Sequence, residues 1–355
     1  MSKIRRAGGG GAVRPDPTKG KASERSSLVI VPLTDRILAI TPGPRWIWIV
    51  LWSLLAIPLT FFLQRLVQAV EPSSQALAEG QPGPWFFAAI ANATLLSLWG
   101  ARKLAVDTVR TEAAISRLIL DERPDAGRPI RGMDSILGPM ALTFVLVGVD
   151  AALIGLDFGW RIALVTFPIS FVIELPLLTF FWAYASLLVG LNRLGRHKLR
   201  LDATPGDRTL GLRPVGHLAF SGFWIFSVGF APILILTATS TPTLVLNLVF
   251  FLIGFVLFVL SLNRLHQQLV EAKRTHLELA RQLYAEAYAP LVRSPSVRTL
   301  QAQASLLSAA ESLEKRSAGI QEWPFDEVLP GRIAIIVSTV VATVMARIIL
   351  DAIGL

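Results

Sequence analysis

Thr243–Leu262 reads TLVLNLVFFLIGFVLFVLSL, twenty residues without a charge and with Asn247 as the one strongly polar side chain. At 1.5 Å of rise per residue, a helix of that length crosses about 30 Å of hydrocarbon. Hydrocarbon offers no water to the backbone, so a crossing segment must close its own hydrogen bonds, and a helix does so within a single chain. Six more blocks share this character: about Trp46–Ala69, Pro84–Gly100, Ile136–Leu156, Ile162–Leu191, Val215–Ala238 and Ile333–Ile353. Pro84–Gly100 is the shortest, and Ile162–Leu191 is long enough to tilt or to project from the bilayer. The expected fold is all-α: a polytopic integral membrane helical bundle of about seven transmembrane helices.

Composition agrees. Of 355 residues, 53% are hydrophobic and 17% charged, with mean hydropathy +0.56, whereas soluble chains carry about 25% charged residues. The formal net charge of +9 does not point to nucleic acid, because the positive residues follow the segments between the apolar blocks. Nine Lys or Arg precede the first block, seven follow the second, six follow the fourth and nine lie between the sixth and seventh; together they are 31 of the 34. The intervening loops, Val70–Gly83, Asp157–Arg161 and Thr239–Pro242, contribute only Arg161. One missed or invented helix would scramble this alternation. It places the N-terminus in the cytoplasm and the C-terminus outside. Arg outnumbers Lys by 27 to 7, the bias of a GC-rich bacterial genome, which makes the inner membrane the expected location.

Four regions are expected. Residues 1–44 form a basic cytoplasmic tail, polar and disordered over Met1–Ser27, with an interfacial segment at Leu28–Ile40 that Pro32, Asp35 and Arg36 make too broken to cross. Residues 45–262 form a six-span body, 263–331 a cytoplasmic helical arm and 332–355 a closing transmembrane helix. A further cytoplasmic helix is expected over Ala101–Leu120. In the arm, Leu265, Leu269, Ala272, His276, Leu279 and Leu283 recur every three or four residues, and Leu300, Ala304, Leu307 and Ala310 share a second face. The arm reads as an antiparallel hairpin whose seam either stays internal or joins two copies as a coiled coil. The turn-rich stretch Asp202–Leu212 reads as a rigid turn docked on the bundle, and Trp323-Pro324-Phe325-Asp326 as an interfacial anchor.

Ionisable groups inside hydrocarbon are costly, about 2.5–3.5 kcal/mol at a helix centre, and so become functional candidates. Glu174 leads them. It lies between Pro168 and Pro176, whose missing amides free the carbonyls of Leu164 and Val172, and a carboxylate beside freed carbonyls suits a cation or proton site. Asp150, Arg65 and Arg347 share the outer third of their spans and could cluster, with Asp351 one turn from Arg347. Their plain alternative is structural salt bridging with the arginines reaching to the interface. His217 opens the fifth span, a candidate on the path whose plain alternative is a simple hydrogen-bonder at the interface. Asn92, Thr94, Ser97 and Asn247 are material for interhelical hydrogen bonds.

The other histidines, His197, His266 and His276, are scattered without ligand spacing, there is no cysteine, and GxSxG and GxxxxGK[ST] are absent. No enzyme, metal or cofactor is therefore expected; the bilayer is the partner, together with a second copy or a protein at the arm. Two functions compete: a cation or proton channel or transporter with Glu174 on the path, and a non-transporting sensor or scaffold acting through the arm.

Overall fold

The computed structural model describes residues 30–70, 84–120, 130–201, 207–236, 241–293, 297–325 and 328–352. The expected disordered stretch Met1–Ser27 lies outside them. Among the described residues the chain is helical throughout, with one isolated bridge between Ile119 and Leu199 in place of any sheet. The helices are α1 (Leu33–Ile40), α2 (Arg45–Val70), α3 (Pro84–Leu118), α4 (Leu137–Phe158), α5 (Trp160–Leu194), α6 (Arg213–Leu236), α7 (Thr241–Arg293), α8 (Val297–Ala318) and α9 (Val328–Ala352).

Six of these are long and apolar enough to cross a membrane: α2, α4, α5, α6, α7 and α9. Large apolar side chains cover their outward faces, including Leu54, Phe62, Phe144, Leu146, Phe250 and Leu257. A soluble protein rarely exposes contiguous apolar surface on this scale; in a bilayer these are the faces that lipid covers. The expected second span is not among the six. It is the first half of α3, which continues without a break through the expected cytoplasmic helix.

Neighbours fix how α3 runs. Gly100 lies against Phe180 of α5 and Ile225 of α6, while Leu96 faces Gly229 of α6. Equally far along both chains, Ile119 pairs with Leu199, held by Leu120 N donating to Lys198 O and Arg200 N to Leu118 O. Thus α3 runs beside α5 in the same direction and antiparallel to α6. The core between them is aromatic: Phe223, Phe226, Phe251 and Phe258 stack across α6 and α7, and Tyr184 of α5 stacks on Phe226. Helices α4 and α9 sit at the periphery, α4 on α5 and α9 against α6 and α7.

The α4–α5 connection is a single residue. Gly159 adopts φ +92°, open to glycine at no cost, and its amide donates back to Gly155 O, so the chain reverses at once. The other end of the bundle is more elaborate. Helix α7 runs for 53 residues, about 80 Å at helical rise, so roughly half of it stands clear of any bilayer. It has no break at the expected boundary between body and arm.

The arm is a hairpin of α7 and α8, but its seam differs from the expected one. Leu265 and Leu269 belong to the bundle core, whereas Leu279 and Leu283 point outward, 47% and 39% exposed. Leu300 is exposed as well. The buried positions are Ala280 and Ala287 of α7 and Ala310 and Ser317 of α8. Each pair is seven residues apart, and small side chains let the backbones approach more closely than leucines would allow.

The arm is clamped at its root. Gln268 Nε2 donates to Gly195 O and His197 O, both at 2.8 Å, tying α7 to the end of α5. Asp207 accepts from Thr209 N, Thr209 Oγ1 and Gly211 N, closing the docked turn expected from the sequence; residues 202–206 of that stretch lie outside the described residues. Burial pushes the Asp207 carboxyl up, but these bonds and Arg213 outweigh it and hold it below its ordinary value. Gln321 N then bonds to Arg208 O. Trp323-Pro324-Phe325, expected at the headgroups, instead packs inward: Trp323 stacks on His266, Phe325 on Phe258, and the Pro324 carbonyl sits in the notch left by Gly216. A side chain at 216 would collide with it.

Helix α1 docks on α2 and α3 through Asp35, which is buried between Arg45 at 3.8 Å and Arg102 at 3.9 Å. Burial raises the Asp35 carboxyl above its ordinary value, and the two guanidiniums, both partly exposed, offset only part of that. Because the folded group binds its proton more tightly than the unfolded one, its contribution is complete below about pH 4 and is lost as pH rises through the raised value. Hydrogen exchange across residues 33–40 tests this. Asp35→Asn is expected to keep wild-type protection at pH 7, and Arg102→Ala to lose protection at pH 8 more than at pH 4. Equal loss by Arg102→Ala at both pH values would contradict this reading.

Candidate functional site

Glu174 lies fourteen residues from the start of α5, roughly 20 Å along the helix, well inside the span. Pro168 and Pro176 both fall within α5, as the sequence indicates, and the helix continues through them. Pro176 cannot bond the carbonyl of Val172. That carbonyl does not face the carboxylate as an open ligand: Trp52 Nε1 of α2 donates to it at 3.3 Å. Trp52 lies seven residues into α2, about 10 Å along the helix. An indole that both packs and donates suits a carbonyl otherwise stranded in hydrocarbon.

The carboxyl of Asp150 lies within electrostatic reach of Glu174. The two belong to the packed helices of the α4–α5 hairpin, Asp150 nine residues before the turn at Gly159 and Glu174 fifteen residues after it. Glu174 is half-buried and Asp150 more exposed, on the peripheral helix. The pair is therefore on the flank of the bundle rather than on its axis.

The expected grouping of Asp150 with Arg65 and Arg347 does not form. Arg65 lies over the ring of Phe61, 5.1 Å from its centroid. Arg347 is on α9, which packs on α6 and α7, whereas α4 packs on α5. Among the described residues no ion pair joins Asp150 or Glu174 to a cation. The Asp351 side chain, the other expected partner of Arg347, lies outside the described residues. Equal depth along separate helices was readable from the sequence; which helices adjoin was not.

His217 stands in the first turns of α6, distant in sequence and along the bundle from the acid pair, and lines a cavity of about 450 Å³ shared with the C-terminal half of α3. Thr94, expected to bond between helices, instead donates to Ile90 O of its own helix. Among the described residues no three His, Asp or Glu side chains gather as metal ligands. Trp52 is the residue at this site that sequence reasoning missed. Its signal was present in Pro176, which announces a carbonyl in need of a donor. No protein-family model, curated protein or solved structure matches the chain.

The Trp52–Val172 bond predicts a double-mutant signature. Trp52→Phe is expected to cost about 1–3 kcal/mol, the penalty of an acceptor left unmade where lipid rather than water covers it. In a Pro176→Ala background it costs less, because the restored amide at position 176 takes the carbonyl. Unfolding in mixed micelles measures both; equal losses in the two backgrounds would show that the bond contributes nothing.

Proposed function

We propose that this is a seven-span inner-membrane protein that moves protons or monovalent cations by way of the Asp150–Glu174 pair. The observation that carries the reading is two carboxyl groups on the two packed helices of one hairpin, within electrostatic reach of each other, with no cation bonded to either among the described residues. Two adjacent negative charges repel strongly where the dielectric is low, and a proton or small cation between them relieves the repulsion. Groups so expensive to place in hydrocarbon are characteristic of proton and ion pathways. The seventh span in this reading is the first half of α3. Its support is the parallel run beside α5 and the alternation of positive loops, which requires a crossing between residues 45 and 136 in addition to α2.

A second reading, a sensor or scaffold acting through the arm, draws support from the clamped root. Gln268, His266, Trp323 and Gln321 make the arm an extension of α5, α6 and α7, so a load on the hairpin is felt by the same helix that carries Glu174.

Flux measurements in proteoliposomes separate the two. Wild-type protein is expected to conduct protons or a monovalent cation, Glu174→Gln to lose at least about tenfold of that flux, and Asp150→Asn to reduce it and shift its pH dependence, with all three inserted and folded alike. Absence of flux from well-folded wild type, at both signs of voltage and across several ions, would overturn the transport reading and favour the arm.

A further inference from the structure

The cavity between α3 and α6 has a split chemistry. Its α3 wall carries Lys103, Asp107 and Arg110, all on one helical face, and its α6 wall carries His217, then Phe220 and Trp224. The volume is about 450 Å³. Lys103 donates to Asp107 at 2.8 Å and lies 5.9 Å from the centre of the Trp99 ring. Arg110 then adds a cation with no acidic partner among the described residues, leaving the upper part of the cavity net positive. Trp224 lies seven residues beyond His217, about 10 Å further toward the bilayer centre, and is 46% exposed on the outer face. Trp99 is similarly exposed. Both helices continue downward as apolar surface.

From this geometry we infer that the α3–α6 cleft is a binding site for one anionic phospholipid of the cytoplasmic leaflet. The headgroup reaches from Arg110 beside His217 to Lys103, about 10 Å lower and level with Phe220 and Trp224, and an acyl chain runs on over the apolar surface below them. Basic pockets between helices on the cytoplasmic side are suited to anionic headgroups, and arginine pairs with phosphate through two parallel bonds. A free phosphorylated solute shares the headgroup chemistry, but it has no use for the apolar surface on which both helices continue below the cavity. The inference rests on the bilayer reading of α6 and is independent of ion flux.

The test is native mass spectrometry of the full-length protein in detergent, titrated with phosphatidylglycerol or phosphatidylcholine. Flotation with vesicles checks insertion of each variant separately, so failure of the site is distinguishable from failure of the membrane reading. Wild type is expected to hold one phosphatidylglycerol in preference to phosphatidylcholine. Lys103→Ala with Arg110→Ala is expected to weaken that binding about thirtyfold, from loss of two cations near the surface. The charge-conserving pair Lys103→Arg and Arg110→Lys is expected to stay within about threefold, which also covers the case in which the alanine variant does not insert. Equal retention of the two lipids by wild type, or unchanged phosphatidylglycerol binding in an inserted alanine variant, would overturn the site. Displacement of bound lipid by millimolar inorganic phosphate would overturn its assignment to lipid in favour of a soluble phosphate.

Discussion

Hydrocarbon supplies no hydrogen-bond partner, and the polar groups of the spanning helices are arranged accordingly. Ser53 donates to Ile49 O, Thr60 to Ala56 O, Thr143 to Pro139 O, Thr179 to Leu175 O and Ser261 to Phe258 O. Each hydroxyl is spent within its own helix, so it costs nothing to bury and contributes little to choosing neighbours. Where a proline breaks the ladder, a donor arrives from outside, as Trp52 does for Val172. The Tyr184 and Ser227 hydroxyls, buried without a hydrogen bond among the described residues, depart from this thrift, and Asp150 and Glu174 depart from it further. Two acids that no cation answers among the described residues are costly in such a medium unless they have a use.

Where the helices leave the apolar zone the chemistry changes. Helices α3, α5 and α7 run on past it, and their extensions are joined by directed contacts: the bridge at Ile119 and Leu199, the Gln268 bonds to Gly195 and His197, and the Trp323–His266 stack. The arm is thus stiffly coupled to the bundle. The α3–α6 cleft sits just below this collar, so a lipid held there would brace the same two helices that frame the aromatic core. Acid pair, cleft and arm root share α5, α6 and their immediate neighbours.

Six of the expected apolar spans were legible in the sequence, because hydrophobic length is a property of position along the chain. The docked turn at Asp207 was legible for a similar reason: its bonds are local. What the sequence withheld was mostly lateral. Leu279 and Leu283 have the spacing of a seam, yet Ala280 and Ala287 form it, because closeness of approach rather than hydrophobicity selected the face. Trp323 and Phe325 have the composition of an interfacial anchor, but the notch at Gly216, more than a hundred residues earlier, draws them inward. Asp150 and Arg347 share the outer third of their spans by sequence, yet α4 packs on α5 and α9 on α6 and α7. Pairings between distant segments depend on shape, which one-dimensional patterning does not carry.

The central claim is a bilayer-embedded bundle in which the first half of α3 crosses, leaving the collar and arm in the cytoplasm. The chain contains no cysteine, so single introduced thiols report sidedness without background. The most direct measurement is labelling of Ser74→Cys, Ser116→Cys and Leu306→Cys in intact cells and after permeabilisation, using a membrane-impermeant maleimide. The account predicts that Ser74→Cys reacts in intact cells, and that Ser116→Cys and Leu306→Cys react only once the membrane is opened. Labelling of Ser74→Cys and Ser116→Cys from the same side would contradict it, because α3 would then not cross.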